Sequence, residues 1–196
     1  MDETRCDWCL SAPDYIAYHD QVWGRPVTDS RELFAKLCLD GQQAGLSWLT
    51  ILRKQAGYEA AFANFAPERI VRFDHADIER LMQDRAIVRN RLKIESIIRN
   101  ARGYLALQDE GHAFNHWLWQ FVDGQPIINH PRSMADVATE SAESRAMSKA
   151  LKKRGFNFVG PTICYAFMQA VGMINDHFVD CQVRAETVEL ARRFSV

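Results

Sequence analysis

ALKKRGFNFVGPTICYAFMQAVG, residues 150–172, decides the fold. The basic segment SAESRAMSKALKKRG ends at Gly155, and glycine terminates helices because it enters the left-handed region at little cost. A short turn with Gly160 and Pro161 leads into GPTICYAFMQAVG, which is nearly all apolar and predicts a buried helix. The order is helix, hairpin, helix. Backbone N–H groups at the start of the second helix form an anion site. Lys152, Lys153 and Arg154, just upstream, supply sequence-independent attraction to a phosphate backbone. An ordinary connection between two packed helices would carry the same pattern.

Outward from this hairpin the apolar period stays helical. In SRELFAKLCLDG, Ser30 is a candidate cap, and Leu33, Phe34, Leu37 and Cys38 recur at three and four. SWLTILRKQAGYEAAFANF reads the same way behind Ser47. Pro67 suits the first turn of PERIVRF, and Asp74 caps HADIERLMQ. NRLKIESIIRNARGYLALQDEG places Leu92, Ile94, Ile97, Ile98, Ala101, Tyr104 and Leu105 on one face, with Gly111 as a stop. No stretch alternates convincingly as a strand, and there is no repeat. The fold class is all-α. Residues 31–164 read as a helical body with the hairpin at 154–162, and residues 1–30 and 165–196 as the loose ends of one domain spanning 1–196.

A chain of 196 residues with 47% apolar and 25% charged residues can build a real core, which argues against disorder. The net charge of −1 decides nothing about nucleic acid, but its distribution is uneven. Residues 85–102 carry Arg85, Arg89, Arg91, Lys93, Arg99 and Arg102 against Glu95 alone, and residues 145–154 carry five basic residues and no acid. Solvated helix faces would give the same runs. The start, MDETRC, is acidic and lacks a signal peptide's apolar stretch, and the apolar run near 163–174 is too short to span a membrane. These features predict a cytoplasmic protein without membrane association. The five cysteines, an odd and scattered set, do not form a secreted disulfide framework.

Their placement raises a different possibility. NDHFVDC, residues 175–181, puts His177 and Cys181 four apart, on one face if the segment is helical. Two ligands do not close a structural zinc site, which takes four. The N-terminal segment offers Cys6, Cys9 and His19. Cys6 with His19 would complete a Cys₂His₂ set joining the chain ends; the rival uses Cys6 and Cys9 as a C-x-x-C knuckle. Cys38 and Cys164 fall on apolar helix faces and read as core.

LDGQQAGLSW, residues 39–48, sets an aspartate, two glutamines and two glycines before Trp48. Trp8, Tyr15, Tyr18 and Trp23 crowd the N-terminal segment. Aromatic faces can sandwich a flat base, and a carboxylate can accept from an exocyclic amine. An aromatic mini-core is the plainer reading of each ring singly.

Taken together, RCDW, YIAYHDQVWG, LDGQQAGLSW, ALKKRGFNFVGPTICYAFMQAVG and NDHFVDC resemble the 3-methyladenine DNA glycosylase I family of helix–hairpin–helix base-excision enzymes. The matching pieces run in family order from about residue 5 to 181 and leave only the tail outside. The resemblance implies a two-lobed all-α fold and one structural zinc held by Cys6, His19, His177 and Cys181, favouring His19 over Cys9. It implies hydrolysis of the N-glycosidic bond of 3-methyladenine in duplex DNA by a monomer, with the base flipped into an aromatic pocket. Asp40 and Tyr18 would read the base edge and Trp48 stack on its face, with Trp8, Tyr15 and Trp23 completing the pocket. Gln42, Gly45 and Leu46 belong to the part that enters the DNA. Lys152, Lys153, Arg154 and Gly160 belong to the phosphate anchor. One position departs from the family pattern: Asp40 stands where a glutamate is expected, shorter by roughly 1.5 Å. Asp176 is expected to orient a zinc ligand, and no lysine nucleophile stands out in the pocket segments, so no strand cleavage is expected. The competing functions are a non-catalytic zinc-stapled DNA-binding module and a purine or nucleoside hydrolase.

Overall fold

The computed structural model describes residues 4–196; the first three residues of the acidic start lie outside the described residues. Helices dominate: α1 (Pro13–Gln21), α2 (Ser30–Gln42), α3 (Trp48–Leu52), α4 (Gln55–Ala61), α5 (Pro67–Ile70), α6 (His75–Gln83), α7 (Arg91–Asp109), α8 (Phe114–Trp119), α9 (Ala142–Lys153), α10 (Pro161–Ala170) and α11 (Arg184–Arg193). The apolar α10 packs on α9 and α2, and α7 packs on α2, α5, α6 and α8. One continuous core links Tyr18 and Trp23 through the central helices to Ile174, with a small satellite of Cys6, Phe178 and Cys181 beside it.

Local signals set most helix ends. Ser47 accepts from the Thr50 N–H, Asp74 forms a reciprocal cap with Asp77, and Pro67 opens α5. The cap of α2 is Asp29 rather than Ser30: its carboxylate accepts from the Arg31 and Glu32 amides, while the Ser30 hydroxyl accepts from the Asn115 amide. The single helix read over 48–65 is broken. The chain bends after Leu52 and again at Ala63–Phe65, all three at positive φ. The break lets Gly57 lie against Ala86, where a Cβ would meet the Ala86 carbonyl at 2.5 Å. Leu92 is 66% exposed despite its apolar period. It sits at the edge of the buried arc in the first turn of α7, and Lys93 points inward instead.

Two further departures concern the C-terminal third. A two-residue parallel pair, β1 (Ile127–Ile128) with β2 (Ile174–Asn175), ties the chain before α9 to the chain after α10. NDHFVDC is then not a helix: after β2 it runs as an irregular turn. The tail is an integral part of the fold. Arg184 donates to the carbonyls of His177 and Asn129, Arg25 pairs with Glu186 at 2.7 Å, and Phe194 stacks on Trp119.

Candidate functional site

Two chain ends meet in a buried cluster. Cys6, His19, His177 and Cys181 are all buried, and their ligand atoms lie within 4.8 Å of one another. Cys181 Sγ is 3.6 Å from His19 Nε2 and 3.6 Å from His177 Nδ1, and Cys6 Sγ is 3.9 Å from His177 Nδ1. A tetrahedral ion with bonds of about 2.0–2.3 Å separates its ligand atoms by roughly 3.3–3.8 Å. The cluster could therefore hold a metal ion with little adjustment. His177 and Cys181 converge without a helix, because the turn hydrogen bond from the Cys181 amide to the Phe178 carbonyl folds the segment back. The Phe178 amide also donates to Cys6 Sγ. Cys9 is left out: its thiol donates to the Cys6 carbonyl at 3.1 Å.

The far ring nitrogens are held as a metal ligand requires. His19 Nδ1 bonds the Asp20 carboxylate at 2.7 Å, and His177 Nε2 donates to the Trp23 carbonyl at 3.2 Å. Gly24, at φ +78°, allows this approach, since a Cβ there would lie 2.8 Å from His177 Nε2. A hydrogen bond between the Cys6 and Cys181 sulfurs raises the Cys6 thiol and lowers that of Cys181, which the His177 and His19 imidazoles lower further. Asp176 does not orient His177: its carboxylate accepts from Asn129, Tyr165 and Gln169.

From the cluster a chain of rings runs into a cavity of about 390 Å³. Trp23 lies edge-on to His177, with centroids 4.6 Å apart, and Trp8 meets Trp23, His19 and Tyr15. Tyr15 contacts Tyr18, and Tyr18 contacts Trp48. All five rings line the cavity, and so does Asp40. Asp40 is not on an exposed loop. It lies in the last turns of α2, 2% exposed, and burial raises its carboxyl pKa although the Lys36 ammonium opposes this. Burial, then the charge of Asp40, keeps the Tyr18 phenol protonated far above its ordinary range. Asp40 Oδ2 and Trp48 Nε1 are buried and lack hydrogen-bond partners. An orphaned acceptor and an orphaned donor on one cavity wall are what a polar ligand would satisfy.

The glutamines divide differently from the sequence reading. Gln42 is fully buried, donates to the Lys93 carbonyl and accepts from the Tyr58 hydroxyl; Gln43 is the one that lines the cavity. Gly45, at φ +76°, and Leu46, 41% exposed, form the protruding tip between α2 and α3. Lys93 is not a surface charge. Its ammonium donates to the carbonyls of Gln42 and Ala44, closing the C-terminal end of α2 beneath the tip. Sequence reasoning also missed Lys36, Tyr165, Gln169 and the 134–139 loop as cavity wall. Only Lys36 had a legible signal, its i,i+4 spacing from Asp40.

In the hairpin, Gly155 is at φ +84° and Gly160 opens α10 without a side-chain cap. Lys152 and Lys153 are exposed, but Arg154 pairs with Glu110. Asn100 on α7 clasps the turn, accepting from the Asn157 amide and donating to its carbonyl. No helix among the described residues is long and apolar enough to cross a membrane.

This arrangement has close counterparts. Residues 8–185 match the family described as Methyladenine glycosylase. The chain belongs to that family. The DNA-3-methyladenine glycosylase 1 of Escherichia coli (strain K12) is 51% identical over 90% of this chain and 95% of its own. The DNA-3-methyladenine glycosylase of Haemophilus influenzae is 48% identical over 91% and 96%. Among solved structures, a 3-methyladenine DNA glycosylase I superposes with a TM-score of 0.90 at 53% identity, covering 91% of this chain and 98% of its own. The Staphylococcus aureus enzyme, studied for its recognition of 3-methyladenine, gives 0.90 at 40% identity over 93% and 97%. Family membership extends the match into α11, just past the end of NDHFVDC.

Proposed function

We infer that this protein is a DNA base-excision repair glycosylase that hydrolyses the N-glycosidic bond of 3-methyladenine in alkylated duplex DNA. Two relatives about half identical to it are named as DNA-3-methyladenine glycosylases, which supports the reading. The observation that carries the reading to this chain is the aromatic cavity with Asp40 Oδ2 and Trp48 Nε1 unpartnered on its wall.

An adenine methylated at N3 is cationic in DNA, so its glycosidic bond is already weak. Water adds at C1′, the C1′–N9 electron pair moves into the ring and cancels its charge, and a proton is released. The residues must extract the base, hold it and admit water. Trp48 offers a stacking face, worth about 1–3 kcal/mol per base. Asp40 Oδ2 accepts from the exocyclic amine, and Tyr18, kept neutral, stands beside it. The Gly45–Leu46 tip, braced by Lys93, fills the gap that the base leaves. Lys36 lines the cavity from outside the segments that the sequence reading took for the pocket. It is bound to the carboxylate at the base edge, so we retain hydrolysis without strand cleavage.

Zinc fits the Cys6, His19, His177 and Cys181 donor set, and we assign it a structural role. When bound it would neutralise the thiolates and join the termini, residues 1–30 and 165–196, into one lobe against the helical body. The hairpin, with Lys152 and Lys153, is the phosphate contact. Arg154 must leave Glu110 to join it. Replacing both lysines with glutamate is expected to weaken duplex binding and reduce its salt slope by about 2, since each phosphate contact contributes about 1. The melting temperature should hardly change, because both side chains are exposed. An unchanged slope would place the contact elsewhere.

The decisive experiment incubates zinc-replete protein with methylated duplex and identifies the released base. Absence of 3-methyladenine from wild-type reactions ends this reading and leaves a non-catalytic DNA-binding module. Borohydride trapping on the same duplex tests strand cleavage; a covalent adduct would contradict simple hydrolysis.

A further inference from the structure

Lys36 stands where a cationic ligand would stand. Its ammonium bonds Asp40 Oδ1 and lies 3.7 Å from the centroid of the Trp48 ring. A carboxylate and an indole face are the two features that favour a flat cation in this cavity. The same side chain therefore neutralises the one and covers the other. The second carboxylate of the cavity, Asp176, already accepts from Asn129, Tyr165 and Gln169, and its contribution is the same whatever residue stands at position 36.

Lys36 also has somewhere to go. Lys36, Tyr18 and Trp48 form a wall shared with a second cavity of about 390 Å³. That cavity is lined by Asp29, Glu32 and Glu59, and Glu32 lies one turn before Lys36 on α2. An ammonium leaving Asp40 would find carboxylates and water on the other side of the wall. Burial lowers the pKa of Lys36 and the Asp40 carboxylate opposes this, so a ligand that takes over the carboxylate leaves the ammonium with only the burial.

We propose that Lys36 sets the charge preference of the base pocket, occupying the Asp40 edge and the Trp48 face and withdrawing when a base enters. The proposal rests on the reading of this cavity as the base site. Its consequence concerns specificity. A pocket with an uncompensated carboxylate would favour cationic over neutral purines strongly; Lys36 reduces that discrimination, because its ammonium, displaced only across the shared wall, stays near enough to repel a cation and leaves a neutral base unaffected. The pocket then takes neutral alkylated bases in closer competition with the cationic one.

The test uses two probes that differ chiefly in charge: 3,9-dimethyladeninium, permanently positive, and 9-methyladenine, neutral. Binding of each is followed by calorimetry for the zinc-replete wild type, Lys36→Met, Lys36→Gln and Lys36→Arg, with folding checked by circular dichroism. The preference, the neutral Kd divided by the cationic Kd, is expected to rise about tenfold or more in the Met and Gln variants. It should stay within about twofold of wild type in Lys36→Arg, which keeps the charge. A preference that is unchanged or lower in both neutral variants overturns the proposal and makes Lys36 a plain structural partner of Asp40. Borohydride trapping on abasic duplex that is lost with Lys36→Met also overturns it, by making Lys36 a nucleophile. If the wild type releases 3-methyladenine and the preferences do not move, only the role of Lys36 fails. If it binds neither probe and releases no base, the pocket reading itself fails and takes this proposal with it.

Discussion

Asp40→Asn is expected to slow single-turnover release of 3-methyladenine by about 100-fold or more, the usual scale for removing one preorganised polar group at a reacting centre. The carboxylate has a single role to lose and no substitute at hand: Oδ1 is engaged by Lys36, and Oδ2 waits unpartnered in the cavity wall. An asparagine keeps the shape and removes the charge. Whichever way the amide turns, it must either present a second donor to Lys36 or offer the base an N–H where an acceptor is needed. The fold should survive, because the amide oxygen can still accept from Lys36. Melting temperatures of the two proteins are therefore expected to agree within a few degrees. Asp40→Glu keeps the charge and extends it by about 1.5 Å, so it is expected to retain excision. Equal single-turnover rates for wild type and Asp40→Asn would show that base recognition resides in other groups.

His19→Ala combined with Cys181→Ala is expected to remove stoichiometric zinc, measured by elemental analysis, and to lower the melting temperature by about 10 °C or more. Two ligands do not hold the ion. Structural zinc sites supply a binding free energy of about 10–16 kcal/mol, and losing even a third of this exceeds 3 kcal/mol. In a chain of this size each kcal/mol shifts the melting temperature by about 2–4 °C. Excision should fall as well, although no ligand touches the base. The rings of His19 and His177 pack directly on Trp8 and Trp23, which line the cavity. Loosening the cluster therefore loosens the aromatic wall. Wild-type protein purified without chelator and free of zinc would remove the structural assignment. A double variant with unaltered zinc content would move the ion to other ligands.

Helix ends and helix order were legible in the sequence because their causes are local. The caps at Ser47 and Asp74, the proline at the start of α5 and the glycine after α9 act within one turn of their own position, and the structure reproduces them. The four members of the buried cysteine–histidine cluster were legible as residue types, and the resemblance to a family chose His19 over Cys9. Geometry gives that choice a reason: the Cys9 thiol is occupied by the Cys6 carbonyl, whereas His19 Nε2 faces Cys181.

The tertiary structure decided which way individual side chains point and whom they meet. Gln42 and Gln43 are neighbours of one type, yet one is locked between Tyr58 and α7 and the other lines the cavity. Lys93 looked like one of six basic surface residues and instead closes the end of α2 from 51 residues away. Asp176, beside His177 in the chain, turns from it toward Tyr165 and Gln169. Lys36 and Asp40 could be paired from their spacing, but not placed against Trp48. A periodic pattern specifies the buried arc of a helix to within about a residue, and its edge is settled by contacts from elements far away in sequence. Tyr18, Trp23, Asp40 and Trp48 are buried by elements distant in sequence, so the cavity they line emerges only when the helices pack.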